Sequence, residues 1–252
     1  FAQRSLKKSF LVVRMPASYI FSRQKKMPGY KNNREEFMSC DERRLVYRTA
    51  YFSLGAQVIL GLISLIGFIK YDDSILSHLL LLDFAVQAIE FVFYAVYVSV
   101  GMLKTYYRYL DWFLSTPCML ISTVMFLEYL SNKTITFGGF LDDYRNDVVL
   151  ILVLNCNMLL CGLLHEVALL PKLIALSVGW VPFLGMFAAI FARFAFKTVV
   201  GLVLTTFVFV VWALYGVAAF LDFVPKNVMY NILDVVSKNF YGLVVAVYML
   251  LQ

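Results

Sequence analysis

Charge is what this sequence has least of. Only 15% of its 252 residues are Asp, Glu, Lys or Arg, and 62% are hydrophobic. An ordinary soluble domain is about 25% charged and about 45–50% apolar. So few charges cannot clothe the surface of a chain this long, which excludes a soluble enzyme and leaves an integral membrane protein. Cysteine is scarce as well. Cys40, Cys118, Cys156 and Cys161 show neither CxxC nor Cys/His ligand spacing, so no zinc site, other metal site or disulfide framework is expected. The apolar stretches lack the polar–apolar alternation that membrane barrel strands require, and nothing repeats at a fixed period.

What is present divides into a tail and seven apolar runs. Residues 1–48 hold twelve of the 22 basic residues and four of the 16 acidic ones, a net charge of +8 against +6 for the whole chain. They contain no apolar stretch ending in a small-residue cleavage site, so they do not read as a signal peptide. Within them, segment 5–22 mixes Phe10, Leu11, Val12 and Val13 with Lys7, Lys8 and Arg14, a composition suited to an anionic membrane face or to a poorly ordered basic extension. Apolar runs follow near 49–70, 78–102, 106–130, 147–169, 172–193, 197–222 and 228–251. Each reaches the roughly 20 residues that a membrane helix needs. The expected fold is an all-α, seven-transmembrane-helix bundle over 49–252 behind the basic extension, with the lipid bilayer as its first partner and no nucleic acid.

Function in such a bundle is read from polar residues inside the spans, because each is costly to bury. The seventh run carries Asn231, Asp234, Ser237 and Lys238. Asp234 and Lys238 are four apart and share a helix face, where they can neutralise one another. A desolvated lysine suits either a covalent imine or a helix-pinning ion pair. The third run reads Arg108-Tyr109-Leu110-Asp111-Trp112-Phe113-Leu114-Ser115-Thr116-Pro117, and the sixth supplies Trp212 and Tyr215. Asp111, Ser115 and Ser122 fall on one helical face.

This set resembles the microbial (type 1) rhodopsins: RYxDWxxxTP, WxxY and DxxxK stand in the family's order on the third, sixth and seventh spans. The resemblance covers about residues 49–252. It implies all-trans-retinal bound covalently through Lys238 as a Schiff base, with Asp111 and Asp234 as counter-ions and Arg108 steadying them. Tyr94 and Tyr215 would donate to Asp234. Trp112 and Trp212 would sandwich the polyene, with Ser115 and Thr116 beside them and Met158, Gly162 and Met186 at the ring end. Gly216 stands where the family usually has proline, and Ala219 where a further aromatic often lines the pocket. The residues agree with this chemistry, since a buried cation needs carboxylates and a flat polyene needs flat walls.

Departures from the family's pumps direct the functional reading. Pumps usually carry a carboxylate eleven residues after the counter-ion, where this chain has Ser122. Many have an acidic pair near the start of the seventh helix, where this chain has Pro225, Lys226 and Asn227. The second run instead carries Asp83, Gln87 and Glu90 at i, i+4 and i+7, a stripe about 10 Å long. Glu90 lies near the level of Lys238 but apart from the third- and seventh-helix counter-ions. With Asn231, placed to bond Glu90 or Asp234, the stripe resembles the channelrhodopsin-like viral rhodopsins of giant viruses. Thr116 and Asn155 occupy positions where algal channels often pair a cysteine with an aspartate.

The expectation is a light-gated channel for small inorganic cations, not an enzyme. A light-driven outward proton pump and a sensory rhodopsin are the alternatives, and a homo-oligomer is a possible assembly. Family topology puts the N-terminus outside. That leaves Lys70, Lys133, Arg145, Arg193 and Lys197 against Asp72, Asp73, Asp142, Asp143 and Asp147 on the cytoplasmic side, in conflict with the positive-inside rule.

Overall fold

The computed structural model describes residues 38–70, 75–101 and 104–250. Segment 5–22, most of the basic extension and the Tyr71-Asp72-Asp73 break lie outside the described residues. The helices are α1 (Cys40–Lys70), α2 (Ile75–Val100), α3 (Arg108–Ser131), α4 (Phe137–Glu166), α5 (Lys172–Arg193), α6 (Val199–Ala218), α7 (Phe223–Asp234) and α8 (Phe240–Leu250). A π-helical segment, Val235–Asn239, joins α7 to α8, and the three together make the seventh rod of the bundle. Helices α1 to α6 are long and apolar enough to cross a bilayer. No strand occurs among the described residues.

Two helices begin well before their apolar runs, α1 at Cys40 and α4 at Phe137. Apolarity marks only the part of a helix that lies in lipid, whereas capping and charge fix where the helix starts in water. At α1, the Ser39 amide donates to Glu42 Oε2 (2.9 Å) while the Glu42 amide donates to Ser39 Oγ (3.2 Å). This reciprocal pair satisfies two amides that a helix start otherwise leaves free. At α4, Thr136 Oγ1 accepts from the Gly139 amide (3.1 Å), and the first turns then carry Asp142, Asp143, Arg145 and Asp147 out of the apolar layer. The seventh rod likewise starts at Phe223 and takes Pro225 into its first turn, where a missing amide hydrogen costs nothing. Between α4 and α5, Ala168 adopts a left-handed conformation (φ 59°), and Leu169 N bonds back to Leu164 O (2.8 Å) to close the tight turn.

Successive helices pack as antiparallel neighbours, and the ring closes through contacts of α1 with α7 and of α2 with α8. α3 sits innermost: 67% of its apolar window is buried inside the protein, against 22–39% for the other spans. α1 shows how the bundle meets its solvent. Its inward face is Val46, Ala50, Ser53, Gln57, Gly61 and Ser64, while Phe52, Ile59, Ile66 and Ile69 face outward. Lipid accepts apolar side chains without cost, so the polar ones turn inward to find each other. Toward the end that carries the α3–α4 turn, Phe126, Leu127, Phe140, Phe187, Ile190 and Phe194 pack a solid apolar core. Toward the other end the packing opens into a cavity.

Candidate functional site

Lys238 lies inside the π-helical segment, with its side chain 2% exposed. Its ammonium meets three carboxylates. Asp111 Oδ2 is 3.2 Å away, Asp234 Oδ1 3.7 Å, and Glu90 Oε1 is in direct contact. Glu90 was expected to stand apart from the counter-ions on the α2 stripe. Its helix level followed from the spacing, but the rotation of α2 turns the carboxylate onto the amine.

A second cation lies behind these groups. Arg108 Nη1 pairs with Asp234 Oδ2 at 3.2 Å, with both side chains essentially unexposed. The same nitrogen donates to Tyr94 Oη (3.2 Å), Nε donates to Asn227 Oδ1 (3.3 Å), and Nη2 bonds Asn231 Oδ1. The guanidinium carbon also lies 5.2–5.8 Å from the ring centres of Phe93, Tyr94, Tyr97 and Tyr230. Asp234 accepts from Tyr94 Oη (2.6 Å) and Tyr215 Oη (2.8 Å). Five ionisable groups thus share one buried site, formally three negative and two positive. Burying such a set is costly, and pairing of opposite charges within it offsets that cost.

From Lys238 a cavity runs between α3, α4, α5 and α6. Its walls are mainly aromatic and aliphatic and include Trp112, Met158, Trp180, Phe183, Trp212 and Tyr215. Thr116 and Gly162 line it, and among the described residues Lys238 is the one lysine on its wall. Met186 does not line it. This residue is buried in the core with Phe187 and Ile190, while Trp180 and Phe183, earlier on α5, take the wall position. Gly216 explains part of the shape: a Cβ there would come within 2.8 Å of Trp180 Cζ2, so its absence lets the indole reach across to α6. Trp112 is wedged edge-on against Tyr109, Tyr215 and Tyr230, with centroid separations of 5.0, 5.6 and 5.1 Å. Flat walls ending on a buried amine suit a flat apolar molecule that carries a carbonyl.

The other side of Lys238 is polar. Asp83 Oδ2 accepts from Ser64 Oγ, and Gln87 Nε2 donates to the Lys238 carbonyl (3.5 Å). Asp83 also packs on Gly242, where any Cβ would collide with the carboxylate. Asn231 bonds neither Glu90 nor Asp234. Its Nδ2 reaches α1 at Thr49 Oγ1 (2.8 Å) and Val46 O (3.2 Å). Asn155 Nδ2 donates to Thr116 Oγ1 (2.8 Å), and Ser122 Oγ bonds Tyr241 Oη (3.0 Å). Ser115 is fully buried on the Asp111 face. The reading of the sequence overlooked the α1 side, although Thr49, Ser53 and Gln57 recur at intervals of four and with Ser64 mark one helix face. It also overlooked Asn227, Tyr230 and Asn239.

A family model for bacteriorhodopsin-like proteins matches residues 48–252. The chain belongs to the bacteriorhodopsin-like family. Among solved structures, viral rhodopsin OLPVRII superimposes with a TM-score of 0.74 at 25% identity, over 81% of this chain and 97% of that one. Bromide-bound halorhodopsin from Halobacterium salinarum gives 0.66 at 14% identity, over 82% and 94%. The proton-pumping rhodopsin AR2 from the marine alga Acetabularia acetabulum gives 0.63 at 15%, over 81% and 93%. No curated protein matches the sequence. Membership makes the chain an integral multi-pass membrane protein of the microbial rhodopsins, a family of retinal photoreceptors and ion transporters whose retinal is held on a lysine.

The buried charges also set a stability expectation. Arg108→Gln leaves the carboxylates short of a cation, and breaking a buried pair costs roughly 3–5 kcal/mol. The thermal unfolding midpoint of the detergent-solubilised variant should therefore fall by many degrees. An unchanged midpoint would show that the guanidinium does not hold this cluster together.

Proposed function

We propose that this rhodopsin is a light-gated cation channel whose path runs between α1, α2 and the seventh rod, past the amine that carries the chromophore. In this reading Lys238 holds all-trans-retinal, and Asp111, Asp234 and Glu90 are its counter-ions. Retinal on Lys238 supplies light absorption and the change of shape that follows it. Trp112 and Trp212 confine the polyene, Arg108 with Tyr94 and Tyr215 fixes Asp234, and the N-terminus faces outward.

One observation carries the channel reading. Several buried polar atoms without a protein hydrogen-bond partner line one seam: Gln57 Oε1 on α1, Gln87 Oε1 and Glu90 Oε2 on α2, and both amide atoms of Asn239 on the seventh rod, while others, such as Asn155 Oδ1 on α4 and Thr205 Oγ1 on α6, lie away from it. Unsatisfied buried polar groups are rare, and each is expensive unless water or an ion reaches it. Ser64 and Asp83 extend the same seam toward the α3–α4 end, and Ser53 extends it toward the other. A carboxylate on such a seam attracts cations and repels anions. Because Glu90 touches both the seam and Lys238, a rearrangement at the amine alters the path directly.

The outward proton pump remains the second reading, favoured by Asp111 lying within hydrogen-bond reach of the amine. Against it stands Ser122, a hydroxyl paired with Tyr241 where a pump places an acid.

Two variants test the proposal. Lys238→Ala should show no visible absorption band after retinal is added, whereas a retained band would mean that another residue carries the chromophore. Glu90→Gln should move the band to longer wavelength, because a carboxylate at the nitrogen end stabilises the ground state. It should also shift the photocurrent reversal potential away from that of a cation-selective path. An unchanged reversal potential at several ionic compositions would remove Glu90 from the ion path.

A further inference from the structure

At the end of the bundle that carries the α4–α5 turn, two polar ties cross between helices where the cavity ends. Lys226 Nζ meets Glu166 Oε1 at 2.6 Å, joining α7 to α4, and the side chains are only 10% and 12% exposed. Lys172 Nζ donates to the Phe220 carbonyl at 2.7 Å, joining α5 to the chain just past α6. Their register relates them to the cavity. Gly162 and Tyr230 line it, and Glu166 and Lys226 lie one helical turn outward from those two residues on the same helix faces. Leu176 and Ala219 line it as well. Lys172 lies one turn outward from Leu176, and Phe220 directly follows Ala219.

We propose that these ties form a collar that closes the outer end of the cavity, retaining retinal and keeping water and small nucleophiles from its linkage to Lys238. The inference rests on the reading that this cavity holds retinal, and it is independent of whether the protein conducts or pumps. The pair bridges α4 and α7 directly, so it acts as a strut across the mouth. An ion pair with about a tenth of its side chains exposed is screened far less than a surface pair. It also leaves a buried, uncompensated charge when one partner is removed, which favours opening and hydration of the mouth. Each charge opposes the dipole of its own helix, Lys226 on the first turn of α7 and Glu166 on the last turn of α4, so each depends on the other for neutralisation.

The test is the rate at which hydroxylamine, a neutral nucleophile close to water in size, bleaches the retinal-loaded protein in the dark. Glu166→Gln and Lys226→Met should each bleach about three- to tenfold faster than wild type, the range expected for loss of a partly buried pair. The double reversal Glu166→Lys/Lys226→Glu should return most of the protection. Arg193→Gln, which breaks the Arg193–Asp147 pair at the opposite end, should bleach at the wild-type rate. Thermal midpoints measured alongside separate access from stability, since a merely structural pair would lower the midpoint and leave dark bleaching unchanged. Equal bleaching of wild type and both single variants, or equal acceleration in Arg193→Gln, would overturn the collar. Failure of the wild-type chain to form a visible band with retinal would overturn both the collar and the reading beneath it.

Discussion

Everything in this bundle depends on how one buried amine is kept from being an isolated charge. Lys238 lies inside an apolar protein, where a bare ammonium would cost many kcal/mol. Three helices answer it with carboxylates: Glu90 from α2, Asp111 from α3 and Asp234 from the seventh rod. The excess negative charge is in turn met by Arg108. Asn227, Asn231, Tyr94 and Tyr215 then hydrogen-bond Arg108 and Asp234. The positions of α2, α3 and the seventh rod about the bundle axis are therefore set by charge as much as by packing. That matters in a membrane, where apolar contact alone gives helices little reason to prefer one rotation over another.

The amine also divides the interior in two. On one side aromatic rings from α3, α5 and α6 enclose the cavity. On the other, polar side chains of α1, α2 and the seventh rod meet and satisfy one another only in part. The π-helical segment stands at this boundary. Its widened turn interrupts the regular ladder, and Gln87 from the seam reaches the Lys238 carbonyl within it. Such segments are frequent at functional sites because they place side chains where a regular helix cannot. In the proposed channel, Glu90 is common to both halves and links chromophore and path within a single contact.

Much of this was legible in the sequence, for physical reasons that differ by element. The seven apolar runs and the helical spacing of Asp234 and Lys238 follow from bilayer thickness and from 3.6 residues per turn. Both are local properties, and the helices formed as expected. Asp111, Tyr94 and Tyr215 converge around the seventh rod, Asp111 on the amine and the two tyrosines on Asp234. Rotation about a helix axis is not local. Spacing placed Glu90 at the right height but could not turn it onto Lys238, and it could not tell that Phe183 rather than Met186 faces the cavity. The helix starts of α1 and α4 lie ahead of their apolar runs because Ser39 and Thr136, not apolarity, fix them. The α1 face of Thr49, Ser53, Gln57 and Ser64 was visible as a repeat of four, yet small polar residues in an otherwise apolar run carry little weight until a partner such as Asn231 is seen across from them.

The claim on which the account turns is that light opens a continuous polar path beside Lys238 rather than driving one ion per photocycle in a fixed direction. The most direct measurement is the steady photocurrent of the unmodified, retinal-loaded protein under voltage clamp, recorded across a range of potentials with different cation gradients. A current that reverses sign, at a potential that follows the cation gradient, is the predicted result. A current that keeps one outward direction at every potential would contradict it.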